Sequence, residues 1–206
     1  KQLSVTASYG NEYVMIRDYY ENDNGMNHSL SLGVEYQHIA PIGVRLKLNY
    51  TKYNFDYIYS FWKYAGKSVK DGRGLGYRDY NHLSTILDVK VDLTNIFAGY
   101  RKDRKWNTAL YLGPTYTKKI SCDAKINSDE LREETKSYRF KLLNGKSSTW
   151  GFHAAVNCSY NVTRNIGIFG EIGTKLYKDE FLTEPQLDFS PIKTMSLEFG
   201  VKYRIK

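Results

Sequence analysis

The final stretch of the chain, TMSLEFGVKYRIK from Thr194 to Lys206, alternates without a lapse. Met195, Leu197, Phe199, Val201, Tyr203 and Ile205 fall on one face of an extended chain, and Ser196, Glu198, Gly200, Lys202 and Arg204 fall on the other, because successive side chains of a strand point to opposite sides. An edge strand of a soluble sheet is usually blunted by polar residues or a turn, since an unpaired edge invites aggregation. A strand that is apolar on one side and charged or small on the other suits a barrel closing on itself inside a bilayer, where every backbone polar group needs a partner within the protein.

The bulk properties fit that reading. No run approaches the roughly 20 apolar residues of a spanning helix, and the mean hydropathy is −0.56, which a barrel tolerates because its lipid-facing residues alternate with polar ones. The 19 Tyr, 9 Phe and 3 Trp, against 4 Pro, supply material for aromatic girdles at two membrane interfaces. The formal net charge of +8 is dispersed over strands and loops, with no basic helix or RNP-like motif, so no nucleic acid is expected as partner and anionic lipid headgroups are the expected counterpart. The 206 residues suit a single domain spanning 1–206. The sequence starts at Lys1 without a charged-then-apolar leader, which for an exported chain implies a removed signal peptide, and no nearby cysteine offers a lipid anchor.

Taken in order, the chain predicts about eight antiparallel strands in an up-and-down transmembrane barrel. They cover Lys1–Gly10, His28–Ile39, Gly43 to about Asp56, His82–Leu93, Trp106 to about Lys119, Thr149–Tyr160, Asn165–Tyr177 and Thr194–Lys206. The first strand can pair with the last. In the third, parity weakens after Lys52, which implies either a bulge or a strand that has left the hydrocarbon. Pro114 predicts a local bulge in the fifth. Ile58–Asn81, with KSVKDGRGLGYRD, reads as a turn-rich loop and not a phosphate loop, and SDELREETK reads as a turn or two of exposed helix. Connections alternate short and long, as short periplasmic turns and long outer loops do; the longer one after the fourth strand, ending in RKDRK, is the exception.

The face opposite the apolar one carries Glu35, Arg45, Lys47, Asp88, Lys90, Asp92, Glu171, Lys175, Glu198, Lys202 and Arg204. An eight-stranded barrel is only wide enough for side chains to fill, so these charges are expected to form an interior network that plugs the lumen and does not line a pore. Cys122 and Cys158 fall near opposite ends of the barrel and are expected as free thiols. A lipid-processing enzyme would use a Ser, His and acid set at the membrane rim. Here His28, His82 and His153 have Ser29, Ser84 and Ser148 nearby in sequence, but no nucleophile motif surrounds them. His153 is expected in the polar interior, and His28 and His82 at strand ends near the headgroups. No spacing suits zinc or calcium, so no catalytic residue, metal or cofactor is predicted. A soluble lipocalin-like barrel is the structural competitor; it would turn the apolar face inward.

Three stretches carry a family resemblance: PIGVRLKLNYT after the second strand, DVKVDLTNIFAGYRKDRKWNTALYLGPTYTK through the fourth and fifth, and SLEFGVKYRIK at the end. In these and in their order the chain resembles the OmpA-type outer-membrane barrel of gram-negative bacteria, in its Bacteroidota version. The resemblance implies an integral outer-membrane location. The family often continues into a peptidoglycan-binding domain; with the sequence ending at the last strand, neither that domain nor an envelope tether is expected. The expected role is that of a non-enzymatic structural or accessory subunit of an outer-membrane protein complex. Its expected partners are outer-membrane lipids including lipopolysaccharide and other outer-membrane proteins. The alternatives are a surface adhesin or ligand-binding barrel, a narrow pore, or a lipid-modifying enzyme.

Overall fold

A computed structural model describes residues 2–15, 27–39, 41–60, 73–101, 104–126, 148–177 and 192–205. Its elements are β1 (Gln2–Met15), β2 (His28–Ile39), β3 (Ile42–Ser60), β4 (Arg73–Asp92), α1 (Leu93–Ala98), β5 (Trp106–Ile126), β6 (Ser148–Asn161), β7 (Ile166–Tyr177) and β8 (Ile192–Ile205). All eight strands pair antiparallel with their sequence neighbours, and β8 pairs with β1 from Leu3↔Ile205 to Met15↔Lys193, closing the barrel. The alternation of the last strand thus serves a seam.

The register sets the shape. Starting at Leu3 and crossing through Tyr36, Val44, Val89, Leu112, Ala154, Thr174 and Met195, the ladder returns to β1 at Tyr13, ten residues further along (3 to 13). Ten residues at about 3.3 Å each, over eight strands about 4.8 Å apart, tilt the strands by roughly 40°, the range in which a closed barrel is unstrained. Apolar side chains face outward on every strand: Leu30, Leu32 and Val34 on β2, Val44, Leu46 and Leu48 on β3, Ile168 and Ile172 on β7, and all six of Met195, Leu197, Phe199, Val201, Tyr203 and Ile205 on β8 are exposed. A lipocalin-like cup would bury them. The outward residues Trp106 and Tyr116 on β5 form aromatic pairs with Tyr160 and Trp150, at 4.8 and 5.0 Å between ring centroids. Ten residues of tilted strand separate the two pairs, about 25 Å along the axis, which is the height of an outer-membrane apolar band.

Several boundaries differ from the sequence reading. β1 runs to Met15, past the expected end at Gly10, and β3, β4 and β5 continue far beyond the belt. The β3–β4 register is unbroken from Ile42↔Val91 to Ser60↔Arg73, so the loss of parity after Lys52 is not a bulge; the strand has left the hydrocarbon. The expected loop Ile58–Asn81 is therefore strand from Arg73 onward, with Gly74 and Gly76 paired to Tyr59 and Tyr57. Beyond Lys52 the β2 pairing stops, and eight further residues of β3 reach Ser60, roughly 20 Å above the belt at this tilt. Pro114 also departs from expectation. It opens a gap in the β4–β5 ladder between Ile86↔Thr115 and Val89↔Leu112 without shifting the register; the shift lies between Asn81 and His82. The expected helix in SDELREETK lies outside the described residues.

The longer connection after β4 holds α1. Asp92 caps it, its Oδ1 accepting from the Asn95 amide at 2.9 Å, and Gly99 ends it at φ 68, a left-handed conformation that glycine adopts without a Cβ penalty.

Candidate functional site in the barrel interior

Because outward positions are apolar, the alternate positions of the same strands deliver polar side chains to the lumen, and the stagger decides which of them meet. Near the short-turn end the Glu35 carboxylate receives Lys90 Nζ at 3.3 Å, the Tyr111 hydroxyl at 2.7 Å and the ammonium of Lys202. At mid-height Arg45 donates from Nε and Nη2 to Asp88 Oδ2 at 3.0 and 2.7 Å, and from Nη1 to Glu171 Oε2 at 2.5 Å. Its guanidinium lies 3.6 Å from the centre of the Tyr111 ring, a cation–π contact. Lys47 Nζ joins Glu171 Oε1 at 2.9 Å to Glu198 Oε1 at 2.8 Å, and Ser8 donates to Glu198 Oε2 at 2.6 Å. Asn157 and His153 complete the layer, donating to Glu171 and to Asp88 Oδ1. Toward the loop end Lys175 Nζ donates to Glu12 Oε2 at 2.7 Å and to Asn49 Oδ1 at 2.6 Å, while Thr51 donates to the same Glu12 oxygen.

Charge balances among the ion-paired residues of this column. Arg45, Lys47, Lys90, Lys175 and Lys202 meet Glu12, Glu35, Asp88, Glu171 and Glu198, five cations against five carboxylates. At mid-height the side chains of Arg45, Lys47, Asp88, Glu171 and Glu198 are no more than 5% exposed. Burial of this depth costs each ion several kcal/mol, which only pairing and further hydrogen bonds offset. Bulk fills what charge does not: the Phe169 ring occupies the space over Gly200, where an added Cβ would lie 2.6 Å from its tip.

Of the eleven interior charges read from sequence, nine belong to this column. Asp92 is buried but serves α1 and Asn107. Arg204 is half-buried at the short-turn end, where it donates to Asn161 Oδ1 and to the Arg164 carbonyl. Sequence reasoning missed Glu12, placed in a loop, and Tyr111. The period of two, continued through Tyr13 and through Leu110–Leu112, would have found both.

The catalytic candidates do not converge. His28 is exposed on the outer wall against Tyr9, with Nδ1 2.5 Å from its hydroxyl, while the adjacent Ser29 points into the lumen and is buried. His82 is not at a strand end as expected, since β4 begins nine residues earlier at Arg73; its inward parity buries it inside the barrel. Ser84 shares a hydrogen bond with Thr117 at 2.8 Å, and His153 is bound to Asp88. Among the described residues, no three His, Cys, Asp or Glu side chains gather as a metal site would require. Cys158 is exposed on the outer wall beside Thr108. Cys122 lies fourteen residues further along β5 than Thr108, about 45 Å away, so the two cysteines cannot bond within one chain.

No protein-family model and no curated protein matches the sequence. Solved structures do match in shape. Ail, the attachment invasion locus protein of Yersinia pestis, crystallised with the heparin analogue sucrose octasulfate, aligns over 99% of this chain and 98% of its own at 15% identity, TM-score 0.53. OprG of Pseudomonas aeruginosa aligns over 99% and 95% at 12% identity, TM-score 0.55. A major outer membrane protein of Thermus thermophilus aligns over 98% and 99% at 15% identity, TM-score 0.55. At such identities the likeness is one of fold. The chain therefore has the closed, eight-stranded, antiparallel barrel fold of bacterial outer-membrane proteins, the fold that the OmpA-type resemblance implied.

Proposed function

We propose that this chain is a sealed, non-enzymatic outer-membrane barrel that acts through its surface, as a structural or accessory subunit of an outer-membrane protein complex. The observation that carries the reading is the filled mid-section: Arg45, Lys47, Asp88, Glu171 and Glu198 bridge the lumen and leave almost no side-chain surface exposed. On this reading the barrel passes no solute, and among the described residues the catalytic candidates do not converge, so its outer wall and its extensions are left to act with. The contact platform on this reading is the three-stranded extension of β3, β4 and β5 above the belt.

Gentle extraction from native membranes, followed by affinity isolation and mass measurement, tests the role. A stoichiometric membrane-protein partner is expected, and a chain that emerges alone as a stable monomer in mild detergent overturns it. Planar-bilayer recording tests the seal; unitary currents from the wild-type chain would refute it. The second reading, a surface adhesin or ligand-binding barrel, is favoured by the same extension, and a fold neighbour has been crystallised with a heparin analogue. Under that reading an isolated barrel binds a soluble ligand, and trimming the β3–β4 hairpin removes the binding.

A further inference from the structure

The foot of the barrel carries a surface that the plug does not explain. Helix α1 buries none of its residues, and Phe97 is 84% exposed, with Tyr100 at 67% and Ile96 at 51%. This is not a loosely hung loop. Arg104 donates to the carbonyls of Thr94, Ala98 and Gly99 at 2.8, 3.0 and 2.7 Å, tying off the end of the helix. Thr94 Oγ1 accepts from the Thr108 amide at 2.7 Å, and Asn161 binds the carbonyls of Arg104 and Lys105 at 2.7 Å each, joining α1 to β5 and to the next turn. A built segment thus holds three large apolar side chains out from the protein.

Their surroundings decide what covers them. Arg101, Lys105 and Arg164 are exposed on the same end of the barrel, and the described residues of the short-turn connections contain no carboxylate. The patch is continuous with the membrane-facing belt, since β5 begins with Trp106, 66% exposed and packed on Tyr160 at the lower edge of that belt. Apolar side chains at headgroup level, beside cations and next to an aromatic girdle, are the chemistry of an interfacial membrane anchor. We infer that α1 is a lipid-docking foot: Ile96, Phe97 and Tyr100 enter the headgroup–acyl boundary of the leaflet at the short-turn end, and Arg101, Lys105 and Arg164 select anionic phospholipid there.

The test uses the full chain with Cys122→Ser and Cys158→Ser, a nitroxide on Phe97→Cys or, for comparison, on Thr163→Cys in the exposed β6–β7 turn, and vesicles of phosphatidylcholine with or without phosphatidylglycerol. Folding of every variant is checked by the mobility shift between unheated and boiled samples. Relaxation measurements are expected to show the label at 97 several-fold more accessible to oxygen than to a water-soluble nickel chelate, relative to the label at 163. This protection should deepen with phosphatidylglycerol and lose that dependence in Arg101→Gln/Lys105→Gln/Arg164→Gln. Equal access of the chelate to both labels in both vesicle types overturns the inference. So does protection at 97 that appears only in native membranes and not in lipid alone, which would assign the surface to a protein partner. An Ile96→Ser/Tyr100→Ser variant that folds yet leaves the label as deep also overturns it.

Discussion

Replacing Arg45 by methionine removes the cation at the centre of the plug while keeping a long side chain in place. Arg45 is 3% exposed and holds two carboxylates, Asp88 and Glu171, on opposite sides of the lumen. After its removal Asp88 keeps His153, and Glu171 keeps Lys47 and Asn157, so neither is stripped bare. The column, however, goes from five cations against five carboxylates to four against five, and one buried charge is uncompensated. Breaking a buried pair from one side costs about 3–5 kcal/mol, whereas an exposed pair is worth about 0–1 kcal/mol. The expected loss is therefore about 4 kcal/mol, a factor of roughly a thousand in the folding equilibrium. Urea unfolding in phospholipid vesicles, followed by tryptophan fluorescence, measures it as a shift in midpoint at constant slope. Arg45→Met/Asp88→Asn removes the excess charge too and should recover at least half of the loss, because deleting both members of a buried pair is often close to neutral. A loss under about 1 kcal/mol, or a double variant as weak as the single one, would mean that water screens the column and the plug argument fails.

Three further outcomes are expected. Gly113→Ala would place a Cβ 1.9 Å from the Leu87 carbonyl oxygen, a backbone atom that cannot turn aside, whereas at Gly170 the Cβ would rest 3.4 Å from the edge of the Phe199 ring. Unfolding midpoints should show about 3 kcal/mol or more lost at 113 and less than about 1 kcal/mol at 170. Tyr111→Phe deletes the 2.7 Å hydrogen bond to Glu35 and keeps the ring under Arg45, so a loss of about 1.5–3 kcal/mol is expected from the same assay. In a Cys122→Ser background, Cys158 on the lipid-facing wall should react in vesicles with an apolar maleimide and resist a charged, membrane-impermeant thiosulfonate; equal labelling by both would place that wall in water.

The sequence disclosed the barrel because lipid and lumen impose opposite demands on neighbouring residues, and period two records them. It disclosed less where only one demand acts. Above the belt both faces of β3 and β4 leave the hydrocarbon, alternation fades after Lys52, and Gly74 and Gly76 resemble turn residues although the register runs unbroken through them. Asp92 shows the converse: its parity is inward, but Asn95 three residues on makes it a helix cap, a local signal that the strand pattern masked. Pairing across the lumen was not legible at all. Lys47 reaches Glu171 and Glu198 only because the ladder climbs ten residues per circuit, and nothing in a single strand states that stagger.

The stagger also places the extension and the foot on shared strands. β4 and β5 belong to the sheet that rises about 20 Å beyond the belt, and their connection at the opposite end is α1. A partner bound to a one-sided extension exerts a tilting force on a barrel whose apolar belt resists tilt only weakly, since lipids accommodate mismatch at fractions of a kcal/mol per ångström. On the readings proposed above, a foot seated in the far leaflet on the same strands resists that tilt. The filled lumen adds to the effect, because an ion-paired column couples β3 to β7 and β8 directly across the barrel and so keeps its cross-section from flattening under load. An Ile96→Ser/Phe97→Ser/Tyr100→Ser variant should therefore leave the stability of the isolated barrel nearly unchanged and weaken its retention of the partner during extraction. If the partner is retained in full, the foot is a lipid contact without mechanical consequence.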